Sequence, residues 1–162
     1  MISKHKIMKH NLKYLRIVIL SLVLSFVSLN LNAQQKQSYI QKNKTLAEKL
    51  STKYGIPSSI ILAVAFVESG GGTSKNSKTL NNHFGIVGKN NIGSRYKQFE
   101  SKEASYEAFC KLIARKNYYS ALKGTEDFGK WVKAIASAGY STQPGEWMRK
   151  INLIIHKYQL KD

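Results

Sequence analysis

The chain is poor in cysteine, in proline and in acid, and each shortage narrows what it can be. A single cysteine, Cys110, rules out an intramolecular disulfide and any structural zinc cage built from two or more cysteines. The two prolines, Pro57 and Pro144, each stand where a helical segment should begin. Against 26 basic side chains there are 9 acidic ones, a formal net charge of +17. No repeat or low-complexity linker breaks the chain, and its longest apolar stretch is short for the about 20 residues of a membrane span. What is present is a 43% hydrophobic sequence of 162 residues, enough for one domain with a real core and too rich in apolar side chains for a disordered basic tail.

The N-terminus reads as a targeting segment. Residues 1–16 carry Lys4, Lys6, Lys9, Lys13 and Arg16 and no acid, and residues 17–29 are apolar apart from three serines. Leu31-Asn32-Ala33-Gln34 then supplies a small residue at the exit. A basic stretch, an apolar stretch and a small-residue exit predict a secretory signal peptide over 1–33, with an uncleaved anchor as the alternative. Leu31 is bulky for its place before such a cut. No cysteine lies near the exit, which excludes a lipoprotein signal. Removal of 1–33 takes away five basic and no acidic residues, leaving 21 against 9, a formal +12. An exported protein that basic is steered toward anionic cell-envelope polymers, and export argues against nucleic acid.

After a polar stretch at 34–43, expected to be a flexible lead-in, helical patterns dominate. A first helix is expected from about Thr45 to Tyr54, stopped by Gly55. A second starts at Pro57-Ser58 and contains eight consecutive apolar residues, Ile60–Val67, the mark of a helix buried on all sides. A third spans about 102–116 behind Ser101, a fourth about 126–138 behind Thr125, and a fifth about 145–158 behind Pro144. Between the second and third lies a Gly-, Ser- and Asn-rich stretch, 69–82, with a short helical turn near Ser77–Leu80. Phe84–Val87 and Tyr96–Phe99 follow, joined by Asn- and Gly-containing residues that suit a hairpin. The expected fold is mainly α, with a small β-hairpin lobe.

Glu68 closes the apolar run. Apolar neighbours and the negative end of the helix dipole both disfavour its charged form, which suits a general acid. Ser69 and three glycines, 70–72, leave the space beside it almost free of side chains, so that a bulky polymer can approach. The residues alone equally allow an ordinary solvated charge at a helix end.

The stretch from Tyr54 to Gly88 resembles the peptidoglycan N-acetylglucosaminidases of glycoside hydrolase family 73. The matching residues are Pro57, Glu68, Ser69, Gly70, Asn81, Asn82, Phe84, Gly85 and Ile86. Tyr96–Ser101 and Ala138-Gly139-Tyr140-Ser141-Thr142 resemble further family elements, and the likeness covers about 45–158. It implies a lysozyme-like fold over a domain at 44–162, acting on peptidoglycan glycan strands as a monomer without cofactor. It further implies cleavage of the β-1,4 bond after N-acetylglucosamine, Glu68 as the acid and Tyr140 as an active-site phenol. Ser69, Gly70, Asn81, Asn82, His83 and Phe84 are its candidate substrate-binding residues.

One departure from the family stands out. Many members carry a second carboxylate in a longer lobe, whereas this chain has no acid between Glu68 and Glu100. Glu100 is the first candidate partner. The alternative is substrate assistance, in which the N-acetyl oxygen of the sugar is the nucleophile. No cluster of His, Asp and Glu has metal-ligand spacing, and Cys110 reads as a core filler. Trp131, Trp147, Tyr118 and Tyr119 are possible sugar-stacking aromatics, with Trp131 spaced for the core. Two rivals stand beside the hydrolase. A lytic transglycosylase of the same superfamily shares Glu-Ser-Gly but usually carries Gly-Leu-Met-Gln where this chain has Phe84-Gly85-Ile86-Val87. An inactive wall-binding module would account for the shortened lobe.

Overall fold

The structure is a computed structural model that describes residues 2–160, with the side chains of 14–27, 31 and 34–160. Residue 1 and the side chains of 2–13, 28–30 and 32–33 of the expected signal segment lie outside the described residues, as do 161 and 162. The helices in chain order are α1 (Ile2–Tyr54), α2 (Ser58–Ser69), α3 (Lys75–Thr79), α4 (Lys102–Ala114), α5 (Tyr119–Leu122), α6 (Phe128–Ser137) and α7 (Pro144–Lys157). The chain divides into two compact units, Met1–Lys36 and Gln37–Asp162. In the first, the apolar side chains from Ile17 to Leu24, with Phe26 and Val27, are exposed. Among the described residues no helix is long and apolar enough to cross a membrane.

The second unit is built around α2. Ile60 to Ala65 are buried without interruption, as a helix apolar on every face must be. α7 lies along it, α6 closes against both, and α4 packs on a further side. Trp131, Ile135, Phe109, Ile113, Ile151 and Ile155 fill the space between them. Local chemistry sets the ends. Gly55 (φ +64°) and Gly70 (φ +60°) stop α1 and α2 in the left-handed region that glycine enters without steric cost. Ser101 caps α4 by accepting from the Ala104 amide at 3.1 Å. For α6 the cap is Asp127, which accepts from the Lys130 amide at 3.1 Å, and not the expected Thr125. The carboxylate wins because it also meets the positive end of the helix dipole.

Two expectations are corrected. Residues 34–43 are not a flexible lead-in but helix, within α1, and Tyr39, Ile40 and Asn43 are buried. Polar residues face outward around them, which hid one apolar stripe in a composition that looked like linker. The hairpin lobe is smaller than expected, since one antiparallel bridge, Val87 with Tyr96, is all the described residues form in place of paired strands. Three backbone bonds still join the two segments, from the Gly88, Lys97 and Gln98 amides to the Arg95, Ile86 and Lys89 carbonyls, and asparagine side chains add to them. The Asn82 amide donates to the Ile86 and Lys97 carbonyls, both at 2.8 Å, and its oxygen accepts from the Phe84 and Ile86 amides. Asn90 does the same at the tip. It donates to the Ser94 and Tyr96 carbonyls and accepts from the Ile92 and Ser94 amides. A side-chain amide offers the same donors and acceptor as a peptide bond, so the lobe closes with little strand.

Candidate active site

Glu68 stands in the last turn of α2, and its carboxyl opens on a cleft of about 350 Å³. The Phe84–Val87 segment forms one wall. Leu112 of α4, Lys116 and Tyr118 beyond its end, and Ile135 of α6 with Ala138–Tyr140 behind it complete the lining. The glycine at 85 matters here. Its φ is +64°, and a Cβ on it would lie 3.5 Å from Glu68 Oε2 and 3.9 Å from the Tyr96 ring. Any side chain there would occupy the space beside the carboxyl.

The carboxyl is held from α7. Trp147 is buried, and its indole N–H donates to Glu68 Oε1 at 2.8 Å. Burial raises the pKa of Glu68 above its ordinary value; the Trp147 hydrogen bond and the positive charge of Lys150 pull it part of the way back. One carboxyl oxygen is thereby fixed in direction, and Oε2 is left toward Gly85 and the cleft.

Tyr140 follows α6 and packs on Trp147 and Phe109 at ring-centroid distances of 5.4 and 5.9 Å. Its hydroxyl donates to the Phe84 carbonyl at 3.0 Å. Its pKa is pushed well up, by burial first and then by the negative charge of Glu68. The phenol therefore stays neutral beside the acid. Its proton is committed to the Phe84 carbonyl, and the residue is part of the cleft lining.

The remaining sequence candidates separate. Phe84 is buried, stacked on Phe109 with centroids 4.4 Å apart, and it meets the cleft as part of the lining wall. Gly70 is the left-handed cap of α2. Ser69, expected at the substrate, points into the core instead. Its hydroxyl donates to the Ala65 carbonyl at 2.6 Å and accepts from the Gly72 amide at 2.8 Å, so the residue fixes the glycine loop. Asn82 is buried and committed to the lobe as described. Asn81 takes a left-handed φ of 51° and donates to the Phe99 and Glu100 carbonyls. His83 is buried, with Nδ1 on the Tyr39 hydroxyl, and burial first and Lys102 second push its pKa down to about 4. None of Ser69, Asn81, Asn82 and His83 lines the cleft. Turn and helix-end sequences need hydrogen-bonding side chains for their own backbone, and here that need wins.

Glu100 does not join Glu68. It is exposed and lines a separate depression with Lys97, Phe99, Ala104, Glu107 and Lys111, so Glu68 is the one carboxylate among the described residues of the cleft. Trp131 is core, as its spacing predicts; Tyr118 lines the cleft; Trp147 holds the acid rather than a sugar. Cys110 is buried and its thiol is pushed up to about 12 by burial, which makes it inert.

Comparison with known proteins gives the family and the fold. The profile of the Glucosaminidase family, described as mannosyl-glycoprotein endo-beta-N-acetylglucosaminidase, matches residues 44–160. The chain belongs to this family, glycoside hydrolase family 73. Exo-glucosaminidase LytG of Bacillus subtilis (strain 168) is 24% identical over 151 residues, 79% of this chain, and the chain spans 53% of that relative's length. The catalytic domain of the autolysin Auto from Listeria monocytogenes superposes with a TM-score of 0.65 at 21% identity, over 78% of this chain and 85% of that one. A C-terminally truncated glycoside hydrolase domain of Salmonella typhimurium FlgJ gives 0.63 at 20% identity, over 78% and 99%. A peptidoglycan hydrolase from Sphingomonas sp. A1 gives 0.63 at 23% identity, over 76% and 90%. The family 73 domain thus has the mainly α, lysozyme-like fold, with its lobe reduced to the single bridge.

Proposed function

We propose that this family 73 protein hydrolyses the β-1,4 bond after N-acetylglucosamine in peptidoglycan, with Glu68 as general acid and the substrate's acetamido group as nucleophile. The carrying observation is the cleft with a single carboxyl, raised by burial and aimed by Trp147. A carboxyl whose pKa is raised by burial holds its proton to higher pH than an ordinary glutamate and can give it to the departing glycosidic oxygen as the bond breaks. The acetamido oxygen then closes on the anomeric carbon. Water, deprotonated by the Glu68 carboxylate, reopens that ring and returns the proton to Glu68. A second protein carboxylate has no step to perform, which accords with Glu100 lying elsewhere.

Tyr140 fits the same scheme. With its proton on the Phe84 carbonyl, its oxygen has lone pairs for the acetamido N–H, which aligns the acetamido oxygen for attack. The wall polymer lies outside the cytoplasm, so the basic and apolar pattern of 1–33 is read as a signal peptide that exports the protein. The compact unit 37–162 is then the working domain, and its positive charge holds it on anionic envelope polymers.

The test is a digest of purified peptidoglycan by wild type and Glu68→Gln, read by mass spectrometry. The expected products carry reducing-end N-acetylglucosamine, and the variant loses about two orders of magnitude in rate or more, the scale of a lost general acid. Anhydro-muramic ends would replace this reading with a lytic transglycosylase. Wall binding without cleavage by either protein would replace it with a binding module.

A further inference from the structure

Behind the acid lies a buried polar cluster that the proposed chemistry does not use. Tyr39 of α1 is its hub. Its hydroxyl is 2.8 Å from His83 Nδ1, 2.9 Å from the Tyr106 hydroxyl and 3.3 Å from Ser69 Oγ. Its ring stacks on His83 and meets Phe66 edge-on, with centroids 5.8 and 5.9 Å apart. Gly72 makes room for that ring. A Cβ there would fall 2.7 Å from Tyr39 Cδ2, and φ at Gly72 is +79°.

One proton arrangement satisfies all these groups. Ser69 shares its hydroxyl proton between the Ala65 carbonyl at 2.6 Å and the Tyr39 oxygen at 3.3 Å, and accepts from the Gly72 amide. His83, whose pKa lies near 4, is neutral, so Nδ1 accepts the Tyr39 proton. The Tyr39 oxygen then accepts from Tyr106, whose pKa, pushed well up by burial, keeps it a donor. A buried network with every member matched fixes the segments it joins. Those segments are the two that build the acid site. Ser69 directly follows Glu68, and His83 directly precedes Phe84, which receives Tyr140, and Gly85, which lies beneath the carboxyl.

We propose that Tyr39 is a positioning residue of the active site, its hydroxyl tying the end of α2 that carries Glu68 to the Phe84–Gly85 wall facing it. It touches neither cleft nor carboxyl and acts through Ser69 and His83. The residue stands before the 44–160 span that the family profile matches, so this chain draws a part of its site from helix outside that span. The proposal rests on Glu68 being the acid.

The test uses the full chain with Tyr39→Phe, His83→Phe and the double variant. Each single variant removes hydrogen bonds and keeps an aromatic ring. The expected result for either is a fall in kcat of about tenfold with KM within about twofold, the scale at which a small displacement of an acid slows a reaction. The Glu68 carboxyl, followed by carbon NMR, should titrate closer to an ordinary glutamate. Because both side chains act through one bond, the double variant should be about as slow as either single one. Wild-type kcat and an unshifted Glu68 titration in Tyr39→Phe would overturn the proposal. So would losses that multiply in the double variant. If Tyr39→Phe fails to fold, His83→Phe alone decides by the same two readouts. If the wild type cleaves no glycan, the hydrolase reading falls, while the titration still tells whether Tyr39 sets the carboxyl's place.

Discussion

At the scale of residues, the carboxyl of Glu68 is costly to the fold that holds it. Its pKa stands above the ordinary value of 4.5, with burial the largest cause. A group raised on folding adds stability that is fully present below its unfolded pKa and lost as pH rises through its folded one. As pH rises through the folded pKa, the fold therefore comes to carry a charge that its buried surroundings resist. Glu68→Gln keeps an oxygen for Trp147 and removes the charge. It should abolish most activity and raise the melting midpoint at pH 7 by ~3 °C, a typical return for relieving a functional site. The gain should vanish below about pH 4.5. Melting curves of both proteins across that range check the sign. The burial of the Glu68 carboxyl was legible in the sequence because it is local, an acid ending eight apolar residues. The Trp147 bond was not, because its partners stand 79 residues apart and an indole in a helix reads as packing. Tyr39 was hidden for a related reason, since its neighbours Gln37, Ser38, Gln41 and Lys42 resemble a linker and only Ile40 beside it suggests burial.

At the scale of elements, the lobe depends on one asparagine more than on any strand. Asn82 serves four backbone groups from a buried position. Asn82→Ala would leave the Lys97 carbonyl and the Phe84 and Ile86 amides without partners, while the Ile86 carbonyl keeps the Lys97 amide, at about 1–3 kcal/mol for each group that water cannot reach. A total loss of about 3 kcal/mol or more is expected in denaturant unfolding, with little recovered by Asn82→Asp, whose carboxylate cannot donate. The helices themselves were readable from glycine stops, serine caps and the apolar run, which are signals within a few residues. The lobe was readable only in outline. Phe84–Val87 and Tyr96–Phe99 do come together, but alternation of side chains does not reveal that a few backbone bonds are supplemented by asparagine amides rather than by a longer ladder.

At the scale of the whole molecule, charge and cleft divide the labour. On the function proposed above, the cleft would supply direction through a few groups, and the excess of lysine and arginine would supply attraction at longer range. That attraction is screened over about 8 Å at physiological ionic strength. Digestion of intact, anionic walls should therefore slow several-fold between 50 and 500 mM salt, and digestion of short uncharged chitin oligosaccharides should barely change; parallel rates on the two substrates check it. The fold class was legible at this scale because a buried helix ending in an acid, a short lobe and three further helices leave few arrangements. The junction between lead-in and domain was not, because the buried stripe at 39, 40 and 43 lies within polar sequence.

The contact between Trp147 and Glu68 also makes the protein its own instrument. An indole whose N–H rests on a carboxyl oxygen at 2.8 Å changes its emission when that carboxyl gains or loses a proton. Trp131, the other tryptophan, is sealed in the core with its N–H on the Thr125 carbonyl and has no titrating neighbour bonded to it. Intrinsic fluorescence followed against pH should thus trace the ionisation of the acid in the resting protein, with no substrate and no label, and the curve should flatten in Glu68→Gln. Ligands that enter the cleft would shift its midpoint, so the same two residues offer an optical assay for binding to a polymer that is otherwise insoluble.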